Sequence, residues 1–117
     1  MVDFDRLEAL GYDPKQVEKR FMGKWEFYEK CINIYFNTND IARLEQLCAE
    51  KDWDNALECV HALKGSAGNM AFVPLYEIYS EMTENFRAGE PEKATALLPS
   101  AVELEKSLRE AAGYVQK

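Results

Sequence analysis

Apolar residues recur along nearly the whole chain at steps of three and four, and no stretch alternates with period two for long enough to make a strand. Each segment can therefore bury one stripe of a helix, and the fold class expected is all-α. Asp3 can cap a short first helix that stops at Gly11, and Asp13-Pro14 offers an N-cap followed by proline at the first helical position, opening a second short helix that ends near Gly23. From Lys24 one stripe runs through Trp25, Tyr28, Ile32, Tyr35 and Phe36. After the polar cluster Asn37-Thr38-Asn39-Asp40, another runs through Ile41, Leu44, Leu47 and Cys48. These are separate helices or one helix with a break. Asp52 reads as the N-cap of the next helix, whose stripe is Trp53, Ala56, Val60, Leu63, Ala67 and Met70. Pro74 marks a new start, a helix through Leu75, Ile78, Tyr79, Met82 and Phe86 ends at Gly89, and Pro91 opens the last one. Pro99 falls inside that last pattern and should kink it or split off a first turn. Short connections favour neighbours that run antiparallel, so an up-down-up-down four-helix bundle over 24–117 is expected, with one or two short helices in 1–23 ahead of it.

Composition narrows what such a bundle can do. At 117 residues and 47% hydrophobic, the chain is long enough for one core and is expected to form a single domain over 1–117. Its formal charge of −7 argues against nucleic acid or an anionic membrane as a partner, since both reward clustered Lys and Arg. No apolar run is long enough to span a bilayer, and the acidic start MVDFDRLEAL does not resemble a signal peptide, so the cytoplasm is expected. The cysteines Cys31, Cys48 and Cys59 are odd in number, widely spaced and without a CxxC, which suits reduced core fillers better than a disulfide framework or zinc site. A monomer is expected, and the opening Met1 without a flanking linker suggests a stand-alone chain.

One stretch departs from the pattern. Val60-His61-Ala62-Leu63-Lys64-Gly65-Ser66-Ala67-Gly68-Asn69-Met70 holds the only histidine of the chain, then a lysine and two glycines, inside a helical stripe. At 100° per residue His61 lies roughly 140° from the stripe, so it points outward, and Lys64, Gly65 and Gly68 lie on the same outer side. Each interior glycine costs a helix about 1 kcal/mol relative to alanine. Two explanations stand: the glycines clear space for another protein to close over the ring, or Gly65 is a C-cap and the helix ends there. An exposed imidazole is partly uncharged at neutral pH, so one ring nitrogen is a free nucleophile for an acyl or phosphoryl group, with Lys64 able to pair phosphoryl oxygens. KGSAG lacks the order of a P-loop, and Cys59 and His61 point to different sides of their helix, so neither nucleotide binding nor a metal site is indicated.

The run His61-Ala62-Leu63-Lys64-Gly65-Ser66-Ala67-Gly68-Asn69-Met70-Ala71 resembles the signature H-x-L-K-G-S-[SA]-x-x-[LIM]-G of the histidine-containing phosphotransfer (HPt) domains of bacterial multistep phosphorelays. Met22-Gly23-Lys24-Trp25-Glu26-Phe27-Tyr28 and Asp52-Trp53 with Ala56 resemble the family's entries to its first bundle helix and to the histidine helix. The resemblance implies a four-helix bundle whose His61 accepts a phosphoryl group from a receiver-domain aspartyl phosphate and passes it to another receiver aspartate. It also implies that the helix continues through the glycines, that Lys64 lies near the phosphoryl group, and that Gly65 lets the receiver approach. Leu57 and Gly68 are expected on the same docking face. The partners implied are response-regulator receiver domains and a hybrid sensor histidine kinase. No cofactor is expected on this chain, the Mg²⁺ belonging to the receiver, and the domain is a phosphotransfer intermediate and not an ATP-dependent kinase. Two positions depart from the family: Ala71 stands where glycine is usual, and Thr83 where many members place a glutamine that orients the histidine ring. Ala71 is expected to tighten a helix contact, and Thr83 to be the candidate for ring orientation. The competing expectation is an acidic helical docking module that binds receivers without phosphoryl chemistry; an acid-labile, base-stable adduct separates the two.

Overall fold

The computed structural model describes residues 4–12 and 14–111, and all of its regular structure there is helical. The elements are α1 (Phe4–Ala9), α2 (Pro14–Phe21), α3 (Trp25–Thr38), α4 (Ile41–Ala49), α5 (Trp53–Asn69), α6 (Val73–Arg87) and α7 (Pro91–Ala111). Asp3 and Asp13, expected as caps, lie outside the described residues. The break at 37–40 makes two helices. Asn39 is extended at ψ 129, and its side-chain oxygen accepts the Ile41 backbone N–H at 3.0 Å, which ends α3 and starts α4 in a new direction. The span 24–117, expected to hold four helices, therefore holds five among the described residues.

Helices α4 to α7 form the antiparallel bundle. Cys59 of α5 reaches back to the Asp40 carbonyl at the start of α4, and the rings of Trp53 and Phe86 meet at 6.0 Å, joining the start of α5 to the end of α6. Asp52 caps α5 as expected, accepting the Asn55 N–H. Proline sits at the start of both α6 and α7, where a missing N–H costs nothing. Pro99 does not split the last helix: α7 is continuous from Pro91 to Ala111.

The buried stripes are the ones the spacing marks. Ala56, Val60, Leu63, Ala67 and Met70 of α5 pack with Leu75, Tyr79, Met82 and Phe86 of α6 and Leu44 and Leu47 of α4. Helix α3 closes one end of the bundle. Its Tyr28 hydroxyl donates to the Met70 carbonyl at 3.1 Å, and the Tyr35 ring stands edge-on to Phe72 at 5.1 Å. Tyr35 and Tyr79 both donate to one oxygen of Glu105, a carboxyl that is 2% exposed in α7. Burial pushes the Glu105 pKa up, against the two tyrosine hydrogen bonds, the Arg109 charge and the Asn39 amide that pull it down. Burial likewise raises the thiols of Cys48 and Cys59; Cys31 is half-buried, and all three cysteines are free.

Candidate functional site

Helix α5 runs unbroken through Gly65 and Gly68 to Asn69, so Gly65 is not a C-cap. The turn that ends α5 comes later: the Phe72 N–H bonds the Ala67 carbonyl at 2.9 Å and the Ala71 N–H the Gly68 carbonyl at 3.1 Å, with Ala71 at φ +58. This is a Schellman turn, and Ala71 holds its left-handed position. That corrects the expectation for Ala71. A glycine there relieves backbone strain, and alanine bears it, with a buried methyl in partial return.

His61 is exposed while its neighbours Val60 and Leu63 are buried, so the bundle's packing fixes which way the imidazole faces. His61, Lys64, Gly65 and Gly68 line a single groove of about 530 Å³. Lys64 is half-buried, and its Nζ stands 5.7 Å over the ring centroid of Tyr76, which holds the ammonium beside the histidine turn. The two glycines differ. A Cβ on Gly65 meets nothing within 4 Å, so the absent side chain leaves open space next to His61. A Cβ on Gly68 comes to 3.1 Å from the Tyr76 ring, so that glycine lets α6's tyrosine lie close to α5. Leu57 does not line the groove; it is half-buried and packs against the core one turn before His61.

Thr83 is not a ring-orienting residue. It is fully buried, and its hydroxyl donates to the Tyr79 carbonyl of its own helix at 2.7 Å. With its proton donated to its own helix and the side chain fully buried, Thr83 does not reach an exposed imidazole. Among the described residues no side chain hydrogen-bonds the His61 ring. Sequence reasoning missed Tyr76, whose only signal is its position off the α6 stripe, and Gln16 and Arg20 of α2, which line the same groove and carry no local signal at all.

The site is therefore an exposed imidazole in an open groove that Lys64, Arg20 and Tyr76 also line. The family model for the Hpt domain matches residues 36–114, most of the chain and all of the bundle from α4 onward that the structure describes. The chain belongs to the Hpt family, whose members carry out histidine phosphotransfer in two-component phosphorelays with receiver domains and kinases, and are not themselves autonomous kinases. No curated protein and no solved structure matched the chain in the same comparisons. Among the described residues no helix is long and apolar enough to cross a membrane.

Proposed function

We propose that His61 is the phosphoryl acceptor of this domain and that Lys64 stabilises the transferred group. In the transfer, a ring nitrogen lone pair attacks phosphorus, the N–P bond forms, and the P–O bond to the donor aspartate breaks with its electrons returning to the carboxylate. The proton stays on the other ring nitrogen. The reverse sequence onto a second receiver returns the ring to its starting state. The observation that carries this reading is the one outward histidine of a matched Hpt chain, set in a groove whose nearest turn has no side chain at Gly65. Charge on the equatorial oxygens is what such a transfer must neutralise, and Lys64 is held one turn from His61 to do so. In this reading the divalent cation used in the step comes with the receiver.

The test is label transfer from a phosphorylated receiver. Wild-type chain gains an acid-labile, base-stable phosphoryl group, His61→Gln gains none, and Lys64→Ala transfers about tenfold more slowly, equivalent to ~1.4 kcal/mol of barrier. Label retained by His61→Gln would falsify the assignment. A second reading, docking without transfer, draws on the unoriented imidazole; it predicts receiver binding by wild type and His61→Gln alike with no adduct in either.

A further inference from the structure

The groove beside His61 has a second wall, and it comes from outside the matched span. Helix α2 places Gln16 and Arg20 one turn apart, and both line the same groove as His61 and Lys64. The chain carries 21 acidic and 14 basic residues, yet among the described residues none of the side chains lining this groove is Asp or Glu. Two cations and two amides, Gln16 and Asn69, thus stand around one exposed imidazole of a net-negative molecule, a set of groups suited to an anion. Arg20 is available for it. Arg6, Arg87 and Lys93 are paired with Glu110, Glu84 and Glu90, whereas Arg20 is exposed and has no partner among the described residues.

We infer that Arg20 is a second phosphoryl-binding residue of this site: once His61 is phosphorylated, the Arg20 guanidinium from α2 and the Lys64 ammonium from α5 both engage the phosphoryl oxygens. A guanidinium presents a planar fork that matches two phosphoryl oxygens, while Lys64 acts as a point charge, so the two are complementary. The Gln16 amide, one turn before Arg20, supplies a neutral donor from the same wall. The inference rests on His61 being the acceptor, but it assigns α2 a role that the matched span 36–114 does not contain.

The test needs no receiver. Phosphoramidate phosphorylates an accessible imidazole directly, its own P–N bond breaking with loss of ammonia as the bond to the ring forms. The ³¹P shift of the phosphohistidine, followed against pH, then reports the second ionisation of the phosphoryl group. Nearby cations favour the dianion, so Arg20→Ala raises that midpoint by about half a unit, as an exposed charge pair allows. Arg20→Lys raises it less, and Lys64→Ala raises it comparably. Lys19→Ala, exposed on the same helix but off the groove, leaves it at the wild-type value. Phosphohistidine at residue 61 with an unchanged midpoint in Arg20→Ala overturns the role of Arg20 and leaves His61 standing. Failure of wild-type chain to take the phosphoryl group at residue 61 overturns both.

Discussion

Gly65 and Gly68 are the same residue type three positions apart on α5, but their surroundings give opposite forecasts. Nothing stands within 4 Å of a Cβ on Gly65, so Gly65→Ala gains the full helix propensity, about 1 kcal/mol. Gly68→Ala must push the Tyr76 ring back from 3.1 Å, and its gain is smaller or negative. Urea unfolding of the two variants reads that order directly, and a Gly68→Ala gain equal to that of Gly65→Ala contradicts it. Gly65→Leu then separates stability from function: the helix is strengthened while transfer to His61 falls, because the clearance is filled. Glu105 makes a forecast in pH. Its folded pKa is raised above the ordinary 4.5, so its contribution to folding is fully present below that value and is lost as pH rises through the folded value. Glu105→Gln keeps an acceptor for Tyr35 and Tyr79 and removes the titration. Its stability relative to wild type therefore increases as pH rises above the ordinary carboxyl range. Glu105→Ala strands two buried hydroxyls and costs about 3 kcal/mol or more. At this scale His61, Lys64 and Gly65 were legible because one helical turn brings them together whatever the rest of the chain does. Thr83 misled, because counting along α6 gives a position and not the partner its hydroxyl chooses.

Among the elements, helix starts were easier to find in the sequence than helix ends. Asp52, Pro74 and Pro91 announce starts by chemistry that acts within one turn. Apart from α3, which ends on extended Asn39, the ends before α7 are set by a left-handed residue, which the sequence signals where glycine fills that place or stands next to it, as at Gly11 and Gly89. Helices α4 and α5 instead turn on Lys51 at φ 58 and Ala71 at φ 58, which no composition rule flags, while α2 ends on Met22 at φ 55 next to the expected Gly23 at φ 74. Lys51 is exposed and the Asp52 N–H reaches back to the Leu47 carbonyl at 3.0 Å, so the turn itself is intact and only the Cβ is strained. Lys51→Gly is expected to stabilise the fold by about 1 kcal/mol, seen as a rise in Tm of about 4–8 °C. A fall in Tm would show that the lysine is not strained there. Pro99 is exposed inside continuous α7, where it leaves the Thr95 carbonyl without its helical N–H. Pro99→Ala restores that bond, and a gain of about 1–2 kcal/mol in unfolding free energy is expected after the added flexibility of the unfolded chain is set against it.

For the whole molecule, the arrangement of charge matters more than its sum. The net charge of −7 argues against polyanions as general partners, yet among the described residues the groove around His61 holds two cations and two amides and no carboxylate. Helices α3 to α6 were legible as apolar stripes and α7 by its opening Pro91; the wall that α2 contributes was not legible, because a helix's position on a bundle is decided by contacts distant in sequence. The cysteines report on the same packing. A thiol reagent is expected to modify half-buried Cys31 first, with Cys48 and Cys59 protected by burial and by raised thiol pKa until the bundle opens. In the proposed function the bundle presents one imidazole to a phosphoryl donor. The most direct test is fragment-ion mass mapping of the full chain after incubation with a phosphorylated receiver, kept at neutral to alkaline pH. A single phosphoryl group on the imidazole of His61 is the predicted result; a phosphoryl group on any other residue, or none at all, contradicts it.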